Sequence, residues 1–104
     1  MRRLRTAGLL ALGLVALPAL VRADVDVPDC VTVRADARWN AYGYDHWLRV
    51  ENGCERAVRC ELSTDVNPEV HRVEIAPGEH VERLTYRGSP AREFEPRVRC
   101  TPVD

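Results

Sequence analysis

The sequence predicts an all-β fold, a small sandwich of about six short strands closed by two disulfides, after an N-terminal signal peptide. Three observations predict it. Beyond residue 23 the chain alternates apolar and polar side chains between closely spaced Gly, Pro, Asn and Asp residues, and a period of two belongs to half-buried strands. All four cysteines, Cys30, Cys54, Cys60 and Cys100, follow the apolar N-terminal stretch. No segment repeats its apolar residues every three or four positions, as an amphipathic helix would.

The N-terminal stretch decides which residues belong to the folded protein. Residues 1–5 (MRRLR) carry three arginines, residues 7–20 (AGLLALGLVALPAL) are apolar, Gly or Pro throughout, and residues 21–23 (VRA) end on the small side chain a signal peptidase accepts. The apolar run is about 14 residues long, against about 20 for a bilayer-crossing helix. Residues 1–23 are therefore expected to be a signal peptide, and residues 24–104 a single mature β domain with no membrane span. Export delivers the chain to the periplasm or the medium, where thiols oxidise, and four cysteines in a short exported domain read as two bridges. A domain of this size sits where a hydrophobic core alone is marginal. Each bridge would add about 3 to 4 kcal/mol by constraining the unfolded chain.

Charge narrows the partners. Four of the 15 basic residues precede Asp24 and none of the 16 acidic ones do, which leaves the mature domain at about −5 and disfavours nucleic acid and anionic membrane surfaces. Every basic residue is arginine. Arginine's rigid fork suits carboxylate and phosphate, but a complete absence of lysine fits codon bias as the plainer cause.

Each strand follows from its alternation. Residues 30–38 set Val31, Val33, Ala35 and Ala37 against Thr32, Arg34 and Asp36. Residues 45–51 set His46, Leu48 and Val50 against Asp45, Trp47, Arg49 and Glu51, and Asn52-Gly53 then reads as a tight turn. Residues 56–62 put Val58, Cys60 and Leu62 on one inward face. After the turn-rich stretch 63–68, residues 70–75 place His71, Val73 and Ile75 together, and Pro77-Gly78 turns the chain. A fifth strand, alternating imperfectly, is expected over 80–86 and is broken by Gly88-Ser89-Pro90, and a sixth is expected over 93–101 with Phe94, Pro96, Val98 and Cys100 on a shared face.

Four cysteines allow three pairings, and loop entropy barely separates them. Strand parity does more. Cys60 shares a face with Val58 and Leu62, and Cys100 with Phe94 and Val98, so both point to the core, whereas Cys30 and Cys54 lie at element ends. The favoured pairs are Cys60 with Cys100 and Cys30 with Cys54. Cys54 with Cys60 across a short loop, leaving Cys30 with Cys100, stays open.

Chemistry-bearing patterns are sparse. His46, His71, His80 and the thiols lack any Cys-x-x-Cys or His-x-His spacing, so no metal or other cofactor is expected. Asp65, Asn67 and Glu69 alternate oxygen ligands as an EF-hand loop begins, but Val70 stands where that loop needs glycine and Ala76 where it needs glutamate. A calcium module built on this turn is a second alternative, beside the turn-forming role of Asp, Asn and Pro. The two serines, Ser63 and Ser89, lie in no nucleophile elbow, and Glu93 and Glu95 alternate to an exposed face. No enzyme is expected.

The aromatic residues carry more. Trp39, Tyr42, Tyr44 and Trp47 fall within WNAYGYDHW. Core and turn packing is their ordinary role, yet Trp47 shares its strand face with Asp45, Arg49 and Glu51, and aromatics beside Arg and Asp are the material of binding surfaces. Tyr42, Tyr44 and Trp47 are therefore candidate binding residues. Arg87 and Arg92, in the expected loop 86–92, are a second candidate pair for a carboxylate or phosphate.

Paired cysteines on central strands of a short exported β chain resemble the immunoglobulin-like sandwich class in general terms. The likeness departs from true immunoglobulin domains, which carry a tryptophan between the paired cysteines. Such sandwiches serve adhesion, assembly and recognition alike, so the resemblance implies no one function. The expected function is a non-catalytic binding or interaction module of the cell envelope, taking another envelope or extracellular protein, a peptide or a glycan. The alternative is a purely structural or self-associating envelope protein.

Overall fold

The computed structural model describes residues 24–104, so the signal peptide expected over 1–23 lies outside the described residues. The domain is all-β, with seven strands and not six: β1 (Asp24–Asp26), β2 (Val31–Asn40), β3 (Gly43–Asn52), β4 (Val58–Thr64), β5 (His71–Ile75), β6 (His80–Ser89) and β7 (Pro96–Pro102). They form two sheets, β1-β7-β4-β5 and β2-β3-β6. The added strand is β1, which pairs parallel to β7 and sets Asp24 beside Arg97 and Asp26 beside Arg99. Three residues are too short to display an alternation, so only the pairing defines this strand.

The inward faces follow the expected parity. Leu48, Val50, Val58, Cys60, Leu62, Ile75, Val98 and Cys100 form the buried core between the sheets, with Val31 closing one end. Cys60 and Cys100 stand directly opposite each other on β4 and β7 and are bridged, and Cys30 is bridged to Cys54. The Cys60–Cys100 bridge thus joins neighbouring strands of one sheet, whereas an immunoglobulin bridge spans the two sheets. The Cys30–Cys54 bridge clips the open end of the β2–β3 pair, just outside the Val31–Asn52 register position.

The turn expected at Asn52-Gly53 leads from β3 to β4 in the other sheet, so it closes no hairpin, and the last strand, expected from residue 93, begins at Pro96. Gly53 is needed there for proximity: its N–H donates to the Cys30 carbonyl at 2.9 Å, and a Cβ would stand 2.9 Å from that same oxygen. The tight hairpin lies at the other end of β3, where Asn40 pairs with Gly43 across the two-residue loop Ala41-Tyr42. A further correction concerns β6, which continues past residue 86 through Arg87 and Gly88 to Ser89. It does so by two bulges against β3. Arg87 and Gly88 together oppose Asp45, and Thr85 is inserted between the partners of His46 and Trp47. Gly88 takes the left-handed φ of 69° that such a bulge asks of glycine. Pro77-Gly78 turns the chain as expected, with Gly78 at φ 80° and Glu79 N–H donating to the Ala76 carbonyl.

Candidate functional site

The β2–β3 hairpin outruns the opposing sheet, and this overhang exposes its aromatics. The odd positions of β2 pass from buried Val31 to exposed Ala35 and Trp39 as the strand leaves the core. Trp39 is 66% exposed although its parity points it inward, and Tyr42 at the hairpin tip is 90% exposed. Tyr44 sits directly across from Trp39 and packs edge-on to it, ring centroids 5.0 Å apart. Neither tryptophan belongs to the buried core.

Local chemistry holds the tip in place. Asn40 Oδ1 accepts the Tyr42 N–H at 2.7 Å, and Asp45 Oδ1 accepts the N–H of the bulge residue Gly88 at 2.9 Å. Gly43 adopts φ 148°, and a Cβ on it would stand 2.7 Å from the Gly88 carbonyl carbon. The hairpin tip therefore lies against the β6 bulge, and Asn40, Ala41, Tyr42, Arg87 and Gly88 line an open depression of about 730 Å³. Tyr42 and Arg87, expected on separate surfaces, share this one.

The remaining candidates lie elsewhere. Trp47 is three residues from Tyr44 on a regular stretch of β3, so the two occupy opposite faces. On its outer face Trp47 lies under Arg38, whose guanidinium carbon is 4.9 Å from the ring centroid. Around it runs an ion network: Arg38 with Asp36 at 2.7 Å and Glu82 at 3.7 Å, and Arg49 with Glu51 at 2.8 Å and Glu82 at 3.4 Å. The bond to Asp36 raises the Arg38 guanidinium pKa, that to Glu51 raises Arg49, and Arg49 in return holds the Glu51 carboxyl below the usual carboxylate range. Arg92 lines a separate groove beneath β2 with Ala35, Ala37, Asp65, Phe94 and Glu95. It does not converge with Arg87.

In the Asp65–Glu69 turn, Asp65 and Asn67 spend side-chain oxygens on the backbone. Thr64 Oγ1 accepts from Val66 and Asn67 N–H, Asp65 Oδ1 from Glu95 N–H, and Asn67 Oδ1 from Glu69 N–H. Among the described residues, no three His, Cys, Asp or Glu side chains gather at one point.

One buried polar residue outside the expected sites stands out. His46 is fully buried and stacked on Phe94 at 4.1 Å; its Nε2 donates to the Ala91 carbonyl at 2.8 Å, and among the described residues its Nδ1 has no partner. Alternation pointed His46 inward, but nothing local in the sequence linked it to residues 91–94. The exposure of Trp39 was equally hidden, since its parity matches core residues and only the shorter opposing sheet uncovers it. Comparison with family models, curated proteins and solved structures finds no match for this chain.

Proposed function

We propose that this is an exported, non-catalytic binding module of immunoglobulin-like build, and that it engages an envelope or extracellular protein, peptide or glycan through the β2–β3 hairpin tip. The observation that carries the reading is the pairing of a 90% exposed Tyr42 with a 66% exposed Trp39 on one rigid hairpin. Large aromatics left in water by a fixed backbone offer contact area at little entropic cost, which is why they anchor interfaces. Arg87 beside Tyr42 adds a donor fork suited to a carboxylate or a sugar hydroxyl. Export agrees with the basic, apolar and small-residue order of residues 1–23 and with both disulfides.

The test is titration of the isotope-labelled domain with panels of extracellular peptides and oligosaccharides, read by amide chemical shifts. A true ligand shifts residues 39–44 and 86–88, and Tyr42→Ala weakens it at least about tenfold, as loss of an aromatic anchor does. Trp47→Ala, on the opposite face, leaves binding unchanged. A ligand that shifts only residues away from the tip, or binds Tyr42→Ala as well as wild type, overturns the reading.

A further inference from the structure

We infer that β2 is a docking edge for a second copy of this chain, the two β2 strands pairing antiparallel about a two-fold axis through Ala35. This goes beyond the hairpin-tip reading and uses the backbone edge of β2, which reaches the tip only at Trp39. Four strands border the sheets, and three of them are poor templates. β1 has three residues and β5 five, while β6 is broken by two bulges and its Thr85 carbonyl is taken by Asn67 Nδ2. β2 runs ten residues in unbroken register with β3.

The hydrogen-bonding groups on that edge are identifiable. Asn40 and Gly43 flank a two-residue loop and so exchange both backbone bonds. By alternation the even residues of β2 bond to β3, and Val33, Ala35 and Ala37 aim N–H and C=O outward. Among the described residues these groups have no backbone partner.

Charge then chooses both the occupant and the register. The outer face of β2 carries Arg34, Asp36 and Arg38 in alternate positions. A two-fold axis normal to the sheet opposes residues of like face, so it passes through one residue. Centred on Arg34 or Asp36, it stacks that side chain on its own copy. Centred on Ala35, it sets Arg34 opposite Asp36 of the second copy twice over, at the spacing where cross-strand pairs interact. Arg34 makes no ion pair among the described residues, so it is free to take this one. On the other face Ala35 meets its own copy, Val33 meets Ala37 and Val31 meets Trp39, so every opposed side chain there is apolar. Centring on Val33 or Ala37 shortens the overlap. The Ala35 register joins the two three-stranded sheets into one continuous sheet.

Sedimentation velocity on the oxidised protein, from about 10 µM to about 1 mM, spans the range in which an interface of this modest size associates. Wild type shifts from monomer to dimer within it. Arg34→Asp leaves carboxylates at both charged positions and Asp36→Arg leaves guanidiniums at both, so each weakens dimerisation at least about tenfold. An equimolar mixture of the two chains restores a dimer, and so does the double variant. On wild type alone, the amide hydrogens of Val33, Ala35 and Ala37 exchange more slowly at the high concentration, while outward amides of β6 do not change. A wild type that stays monomeric throughout, single variants that dimerise like wild type, or a mixture no stronger than its components overturns the proposal.

Discussion

Asn52 shows how much one buried amide can organise. Its Nδ2 donates to the Arg56 and Ile75 carbonyls at 2.9 Å each, and its Oδ1 accepts the Cys54 N–H at 2.8 Å. Its backbone N–H and C=O meanwhile bond Glu79 and Gly78. One residue thereby ties the end of β3 to the β3–β4 crossing, to β5 and to the Pro77-Gly78 turn. Asn52→Ala leaves two carbonyls and an N–H unpaired in a site that is 1% exposed, and should cost about 3 kcal/mol in urea unfolding. Local reasoning reads Asn52-Gly53 as no more than a tight turn. The partners that make Asn52 a junction extend to Ile75, Gly78 and Glu79, and no short window contains them. His46 divides in the same way: its inward direction was legible from Leu48 and Val50, its stacking on Phe94 was not.

At the scale of elements, the β2–β3 hairpin and the β6 bulge form one unit. Gly43 and Gly88 both have positive φ, but they differ in what surrounds them. A Cβ on Gly43 meets the Gly88–Ser89 backbone at 2.7 to 2.8 Å, whereas one on Gly88 finds nothing nearer than 3.9 Å. Gly88→Ala should therefore cost only the left-handed backbone term, about 1 to 2 kcal/mol. Gly43→Ala should cost more and displace the tip, seen as amide shift changes spreading from residues 40–44 to 86–89. Thermal unfolding and amide spectra of the two variants check this, and equal effects would mean that tip and bulge are not in register. The strands themselves were largely legible, since each core-facing set obeys the period of two. The bulges were not: residues 80–86 alternate imperfectly, but only the partner strand shows which residues are inserted.

At the scale of the whole molecule, two bridges hold two different things. Cys60–Cys100 is buried in the four-stranded sheet and closes 40 residues, while Cys30–Cys54 closes 24 near the surface. Replacing Cys60 and Cys100 with alanine should lower the unfolding free energy by about 4 kcal/mol, with the vacated core volume adding to that loss. Replacing Cys30 and Cys54 with serine should cost about 3 kcal/mol and leave a folded domain. Urea unfolding of both pairs checks the order. The pairing was readable from parity because a core-facing cysteine on a strand has few places to go. The placement of both Cys60 and Cys100 in one sheet was not, since parity gives a face and says nothing of which strands are neighbours.

The sequence by itself determined the all-β class and the inward face of nearly every strand, and favoured the disulfide pairs that form without closing the alternative, because alternation and cysteine position act within a strand's own length. Tertiary structure alone decided which strands share a sheet, that β1 exists, and that Trp39 is uncovered. Those outcomes depend on where one sheet ends above another, and that boundary is set by contacts between residues far apart in the chain.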